Sequence, residues 1–153
     1  MEIELVLVTI DKKEKLSQLL KDYQREIVGE NVEEYKYLDS YWGSEDRKAF
    51  FMIFKQEIVG FVLINKHTIV EKNATSVAEF YIKKEFRKEG IGRMVAKMIF
   101  EKFKGKWEVA EMKDNVLAQN FWRKVIGEYT NDNYREVILD NDKWRGPVQI
   151  FEN

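Results

Sequence analysis

Glu79-Phe80-Tyr81-Ile82-Lys83-Lys84-Glu85-Phe86-Arg87-Lys88-Glu89-Gly90-Ile91-Gly92-Arg93 is the stretch that decides how the rest of the chain reads. Val77 to Lys83 reads as a strand, bounded by the charged turn at 84–90. Gly90-x-Gly92 follows, and the chain then enters an amphipathic helix. Ile91, Met94, Val95, Met98, Ile99 and Phe103 share one stripe of that helix, Arg93, Lys97, Glu101 and Lys104 fall on the other face, and Gly105 stops it. This is the layout of an anion site. The first helical turn leaves backbone N–H groups unpaired, and the macrodipole adds roughly half a positive charge there. Glycines let a phosphate touch the backbone, and Arg87, Lys88 and Arg93 supply charge-assisted contacts. A dinucleotide fingerprint would need a third glycine where Val95 stands. A Walker loop would need Lys-Ser/Thr where Arg93 and Met94 stand. A phosphate turn of another kind remains, beside the plainer reading of glycines that serve tight geometry alone.

Composition narrows the classes. The chain has 153 residues, of which 44% are apolar and 14% aromatic, enough for one domain over 1–153 with a sizeable core. No apolar run approaches the roughly 18–20 residues that span a bilayer, and Glu2 and Glu4 interrupt the first apolar stretch, so no signal pattern is present. Without cysteine there are no disulfides, thiolate nucleophiles or Cys-based zinc sites, and the single histidine, His67, makes a multi-His metal site impossible. The expectation is a cytoplasmic protein with no metal and no membrane partner. The net charge of −1 conceals nine basic and three acidic residues between Lys83 and Lys106, with the remainder acidic. That favours a local anionic ligand over nucleic acid; a solvated helix face is the alternative.

Ile3 to Ile10 reads as a strand. Asp11 is placed as a helix N-cap with Glu14 completing the capping pattern, Leu16, Leu19, Leu20, Tyr23 and Ile27 follow at helical spacing, and Gly29 is the stop. Residues 30–48 read as irregular and aromatic. Ala49 to Phe54 and Ile58 to Asn65 read as a hairpin about Lys55-Gln56-Glu57. Trp107 to Met112 is strand-like. Asn115 to Ile126 is a helix with Leu117, Phe121 and Val125 on its apolar face and Gly127 at its end. Tyr134 to Leu139 and Val148 to Phe151 close the chain as strands. The order β-α-(irregular)-β-β-β-α-β-α-β-β makes an α/β mixture.

Arg87-x-x-Gly90-x-Gly92, after an apolar strand and before a helix, resembles the acetyl-CoA signature of the GNAT superfamily of N-acetyltransferases. The resemblance continues in Asn115-x-x-Ala118-x-x-Phe121-Trp122 and Gly127, where the family often has Asn, Ala, a Phe-Tyr pair and Gly. It covers 79–127 by motif and the full chain by order of elements. The implied fold is an acyl-CoA N-acyltransferase fold, a central mixed sheet flanked by helices. The implied activity is direct transfer of acetyl from acetyl-CoA to the primary amine of a small molecule, amino acid or peptide. A non-catalytic acyl-CoA-binding or regulatory module is the alternative.

The resemblance also implies roles. The backbones of Phe80, Tyr81 and Ile82 line the pantetheine arm, and N–H groups of Lys88, Gly90, Ile91, Gly92 and Arg93 surround the pyrophosphate. Asn115 and Asn120 meet the cofactor from the next helix. A backbone N–H near Ile82 stabilises the tetrahedral oxyanion. An amine must lose a proton before it attacks, and Glu79 is the candidate base; it reads equally as a surface carboxylate at a strand start. The departing thiolate is commonly protonated by the tyrosine of the Phe-Tyr pair, but Trp122 stands there, and an indole only donates a hydrogen bond. Tyr129 and Tyr134 are the candidate substitutes. For the acceptor, Tyr37, Asp39, Tyr41 and Trp42 offer aromatic faces and a carboxylate that suit a cation; a lid or dimer contact is the alternative. A homodimer through terminal strands completes the expectations.

Overall fold

A computed structural model describes residues 2–153. Lys55 and Gln56 both take positive φ, 51° and 66°, which is what a two-residue hairpin turn needs to match the strand twist. They join β2 (Arg47–Phe54) to β3 (Glu57–Asn65). The other strands are β1 (Ile3–Leu7), β4 (Ala74–Ile82), β5 (Lys106–Ala110), β6 (Arg135–Asp140) and β7 (Arg145–Glu152). The helices are α1 (Lys13–Val28), α2 (Ser40–Gly43), α3 (Ile91–Lys102) and α4 (Val116–Thr130). The seven strands form one sheet in the order β1-β2-β3-β4-β5-β7-β6. It is mixed: β1–β2, β5–β7 and β6–β7 are antiparallel, while β4–β5 is parallel. No described helix is long and apolar enough to cross a membrane.

The chain divides into two compact units. The first runs up to Ile64 and takes in Glu79–Ile91; the second holds Asn65–Ala78 and Gly92–Asn153. β4 passes from the second into the first. In the first unit, Leu16, Leu19 and Leu20 of α1 are buried with Met52 of β2 and Phe61 and Leu63 of β3. Each such side chain contributes about 1.5–3 kcal/mol by leaving water. The Tyr23 ring lies 5.8 Å from Phe61 and 5.7 Å from Tyr81, tying α1 to β3 and β4. Gly60 of β3 exists for a close approach: a Cβ there would lie 2.1 Å from the Tyr81 carbonyl oxygen and 3.1 Å from Ile82 Cα. The last residues of β4 therefore press on β3 where a side chain would hold them off.

In the second unit the Phe100 ring gathers Trp107, Phe151 and Tyr129 at 5.0, 4.9 and 5.2 Å. Glu108 of β5 is buried, and its carboxylate accepts the N–H groups of Ile69, Val70 and Glu71 at 2.6, 2.8 and 2.9 Å. Three donors satisfy a charge that burial would otherwise penalise by several kcal/mol. The parallel pairing of β4 with β5 runs from Ala74↔Lys106 to Ser76↔Glu108, and β4 continues past it to Ile82.

Several sequence expectations need correction. Asp11 does not cap α1. It lies in a 3-10 turn, Ile10–Lys12, where its carboxylate accepts the Thr9 hydroxyl, and Lys12 occupies the cap position. Residues 30–48 hold a short helix, α2, nucleated by the turns that Ser40 and Tyr41 close on Tyr37 and Leu38. Gly127 does not end α4. The helix runs on to Thr130, and Asn131, with φ 52°, provides the left-handed cap. Asp132 Oδ1 lies 2.9 Å from where a Gly127 Cβ would stand, so this glycine admits the returning chain instead of stopping the helix. Leu117 is 85% exposed; α4 buries Gln119, Trp122, Val125 and Ile126 in its place.

Candidate functional site

The signature turn is built by its own backbone. Lys88 has φ 66° and Gly90 φ 85°, two left-handed residues either side of Glu89, and α3 starts immediately after at Ile91, which is buried and anchors the helix. Alternation of this kind turns successive N–H groups toward one concavity, and the first-turn N–H groups of α3 have no partner inside the helix. A Cβ built on Gly90 would meet no atom within 4 Å, so the face before the turn is open. The turn thus fits a phosphate: room, unpaired donors and a helix start coincide.

The flanking arginines are engaged elsewhere. Arg87 Nε donates to the Ile82 carbonyl at 2.7 Å, its Nη2 reaches Glu26 at 2.6 Å, and its guanidinium lies over the Tyr81 ring at 5.6 Å. Arg87 therefore braces the turn against β4 and α1. Arg93 Nε donates to Glu128 at 2.6 Å. Lys88 is exposed at the turn itself.

Within the first unit a cleft of about 450 Å³ opens beside β4. The end of α1 contributes Tyr23, Ile27 and Val28, the segment after it contributes Val32, Glu33, Glu34, Tyr35 and Tyr37, and β4 contributes Glu79. Glu79 stands in the body of the strand, not at its start. Its Oε2 is buried and has no hydrogen-bond partner among the described residues. Burial lifts its proton affinity to about pH 7, because the charged form loses water. Tyr23, Tyr35 and Tyr41 all feel the Glu79 charge.

A family model described as Acetyltransferase (GNAT) family matches residues 14–127. The chain belongs to that family. This GNAT chain is accordingly an N-acetyltransferase with the mixed-sheet fold of its kind. Solved structures of low identity share the fold. An acetyltransferase from Thermus thermophilus is 15% identical, with 100% of this chain and 98% of that one covered at TM-score 0.74. The PaiA N-acetyltransferase from Thermoplasma acidophilum, solved in complex with coenzyme A, is 13% identical, with both chains fully covered at TM-score 0.66. The aminoglycoside acetyltransferase AAC(6')-Ib, also solved with coenzyme A, is 13% identical, with 99% and 95% covered at TM-score 0.72. No curated protein matches the GNAT chain by sequence.

The residues expected at the acceptor side separate. Tyr37 lines the cleft with Glu79, but its ring carries Lys36 and Arg47 at 5.3 Å each. Asp39 is ion-paired with Lys13. The Trp42 indole donates to the Val8 carbonyl at 3.0 Å and faces a different cavity, toward Leu7 and Arg47. Tyr41 is buried beside that second cavity, its hydroxyl without a hydrogen-bond partner among the described residues. The expected cluster is therefore split: Tyr37 lies on the Glu79 cleft, Tyr41 and Trp42 on the second cavity, and the rest of the Glu79 cleft wall includes Tyr23, Tyr35 and the aliphatic end of α1. Periodicity assigns Tyr23 to the helix stripe and gives no reason to single out Tyr35. Gly60, an isolated glycine in a strand, was the legible sign of close backbone approach.

In the second unit, Asn115 caps α4, its side chain accepting the Ala118 N–H at 3.1 Å, and Asn120 is exposed on the same helix. Trp122 is buried, its ring 6.3 Å from Phe100. The Tyr129 hydroxyl accepts from Asn153 Nδ2 at 2.8 Å and interacts with Glu101 and Lys104, at the end of α3 opposite the signature turn. A helix of 12 residues is about 18 Å long. Tyr134 lines a cleft with Lys106, Asp132 and Arg135. Among the described residues no group of His, Asp or Glu is arranged to hold a metal.

Proposed function

We propose that the chain transfers the acetyl group of acetyl-CoA directly to the primary amine of a small molecule, amino acid or peptide, with Glu79 as the base. The observation that carries this reading is the Glu79 carboxylate: buried on a cleft wall, one oxygen unpartnered, with a proton affinity near neutrality. A base of that strength takes a proton from an ammonium and releases it to water near neutral pH. The acceptor side is suited to a cation. Glu33 and Glu34 join Glu79 along the cleft against Lys36, and Tyr23 and Tyr35 offer aromatic surface.

The pyrophosphate of acetyl-CoA is assigned to the N–H groups of Lys88, Gly90, Ile91, Gly92 and Arg93, with Lys88 the nearby charge. Arg87 holds the turn in shape through Ile82 and Glu26. The backbone of Phe80 to Ile82 follows the pantetheine arm, and an N–H near Ile82 receives the oxyanion. Bound acetyl-CoA supplies the thioester; the chain positions it and removes the amine proton. Trp122 is a core ring, Tyr129 sits at the far end of α3 and Tyr134 lines a cleft with Lys106 beyond that same end, so we assign the protonation of the departing thiolate to water.

Thiol release measured over a panel of primary amines tests the reading. Turnover on at least one amine, lost in Glu79→Gln with acetyl-CoA affinity retained, is expected. The buried Trp122 favours one rival, a module that binds acyl-CoA without turning it over. Tight acetyl-CoA binding with no thiol release on any amine would establish that rival.

A further inference from the structure

We propose that Tyr35 is a positioning residue for Glu79: its ring, carried on the segment between α1 and α2, closes the inner end of the cleft and keeps water from the Glu79 carboxylate. The inference rests on the reading of Glu79 as the base. Three tyrosines from three parts of the first unit face Glu79 electrostatically: Tyr23 from α1, Tyr35 from the connecting segment and Tyr41 from α2. Two of them are fixed by packing. Tyr23 lies against Phe61 and Tyr81, and Tyr41 is 6% exposed within α2. Tyr35 belongs to no helix or strand, yet it shares the cleft wall with Glu79.

Local bonds hold Tyr35 there. The Leu38 N–H closes a turn on the Tyr35 carbonyl at 3.1 Å, and the Leu38 side chain is 2% exposed, so the turn is nailed to the core. The Tyr35 ring meets Tyr37 edge-on at 6.1 Å. Glu33, Glu34 and Lys36 of the same segment line the cleft with Glu79, and Arg47 of β2 acts on Tyr41. Burial pushes the Tyr35 hydroxyl far above its ordinary value, so it stays neutral and adds no charge beside Glu79. The consequence is that a segment outside the regular structure sets how dry the base is. Moving Tyr35 aside would hydrate Glu79 and return it toward an ordinary carboxylate, which cannot hold an amine's proton near neutral pH.

The test follows the Glu79 carboxyl directly, by carbon-13 NMR of glutamate-labelled full-length protein over a pH series, with Glu79→Gln assigning the resonance. The wild type is expected to titrate near pH 7. Tyr35→Ala and Tyr35→Gln, two variants in case one misfolds, are expected to titrate at least one pH unit lower. Tyr35→Phe, which keeps the ring, should stay near the wild type. The acid limb of the kcat profile should move in the same direction. An unchanged Glu79 midpoint in both open variants overturns the inference, as does a shift in Tyr35→Phe as large as in Tyr35→Ala. Neither result touches the reading of Glu79 as the base, which fails separately if Glu79→Gln keeps full turnover.

Discussion

Glu79 is the proposed base, and the burial of its carboxylate has a measurable cost. Its folded proton affinity lies above the ordinary carboxylate value, so between about pH 4.5 and 7 the folded chain holds a proton that the unfolded chain has released. Stability therefore falls as pH rises through that window, by about 3 kcal/mol in all at roughly 1.4 kcal/mol per unit. Glu79→Gln should remove this slope: compared with the wild type it gains stability at pH 8 relative to pH 5 in chemical denaturation, while turnover drops by about 10²-fold or more. Trp122 makes the complementary case. A ring packed near Phe100 has no acid to offer. Trp122→Tyr is expected to change kcat by less than about tenfold, or roughly 1.4 kcal/mol of barrier. A larger loss, measured as thiol release, would give Trp122 a specific role.

At the scale of elements, the signature turn and the β3–β4 contact each depend on a missing side chain. Gly90 sits at φ 85° with open space before it. Gly90→Val combines backbone strain of about 1–3 kcal/mol with a methyl pair where the phosphate approaches. Calorimetric titration should find acetyl-CoA binding abolished while the circular dichroism spectrum is retained; unchanged affinity would sink the phosphate assignment. Gly60 works the other way, by closeness. A methyl at 2.1 Å from the Tyr81 carbonyl oxygen must displace the end of β4. Gly60→Ala is expected to cost about 1–3 kcal/mol in denaturant unfolding and to raise the KM for acetyl-CoA, because Tyr81 and Ile82 carry the backbone assigned to the pantetheine arm and to the Arg87 brace.

For the whole molecule, charge and one buried anchor matter most. On the proposed reading, the basic run from Lys83 to Lys106 in an otherwise acidic chain attracts the phosphates of acetyl-CoA through exposed groups, which salt screens within about 8 Å at physiological ionic strength. The KM for acetyl-CoA should rise several-fold between about 50 mM and 500 mM salt; a flat response would remove electrostatics from the account. Glu108 fastens the loop between β3 and β4 through three N–H groups. Glu108→Gln leaves one of its two carboxylate acceptors replaced by a donor. A loss of about 2–3 kcal/mol is expected, together with faster hydrogen exchange at Ile69, Val70 and Glu71.

What was legible in the chain by itself was local. The stripe from Ile91 to Phe103, the Lys55-Gln56-Glu57 turn and Gly90-x-Gly92 each follow from spacing and conformational freedom within a few residues, and together they gave the element order apart from α2, and the tight turn ahead of α3. The family match then agreed with the resemblance read from Arg87, Gly90, Gly92 and Asn115. Tertiary structure decided what depends on residues distant in sequence. That Glu79 lies half-buried with one carboxylate oxygen out of water, instead of on the surface at a strand start, goes with the cleft it shares with Tyr23 and Tyr35, both far back along the chain. That Arg87 braces instead of reaching outward depends on Glu26. That Asp39 is taken up by Lys13, and that Trp42 faces a cavity other than the Glu79 cleft with its indole on the Val8 carbonyl, depends on residues far back along the chain. Proton affinity and side-chain engagement are properties of surroundings, and surroundings come from folding, which no spacing rule within one segment contains.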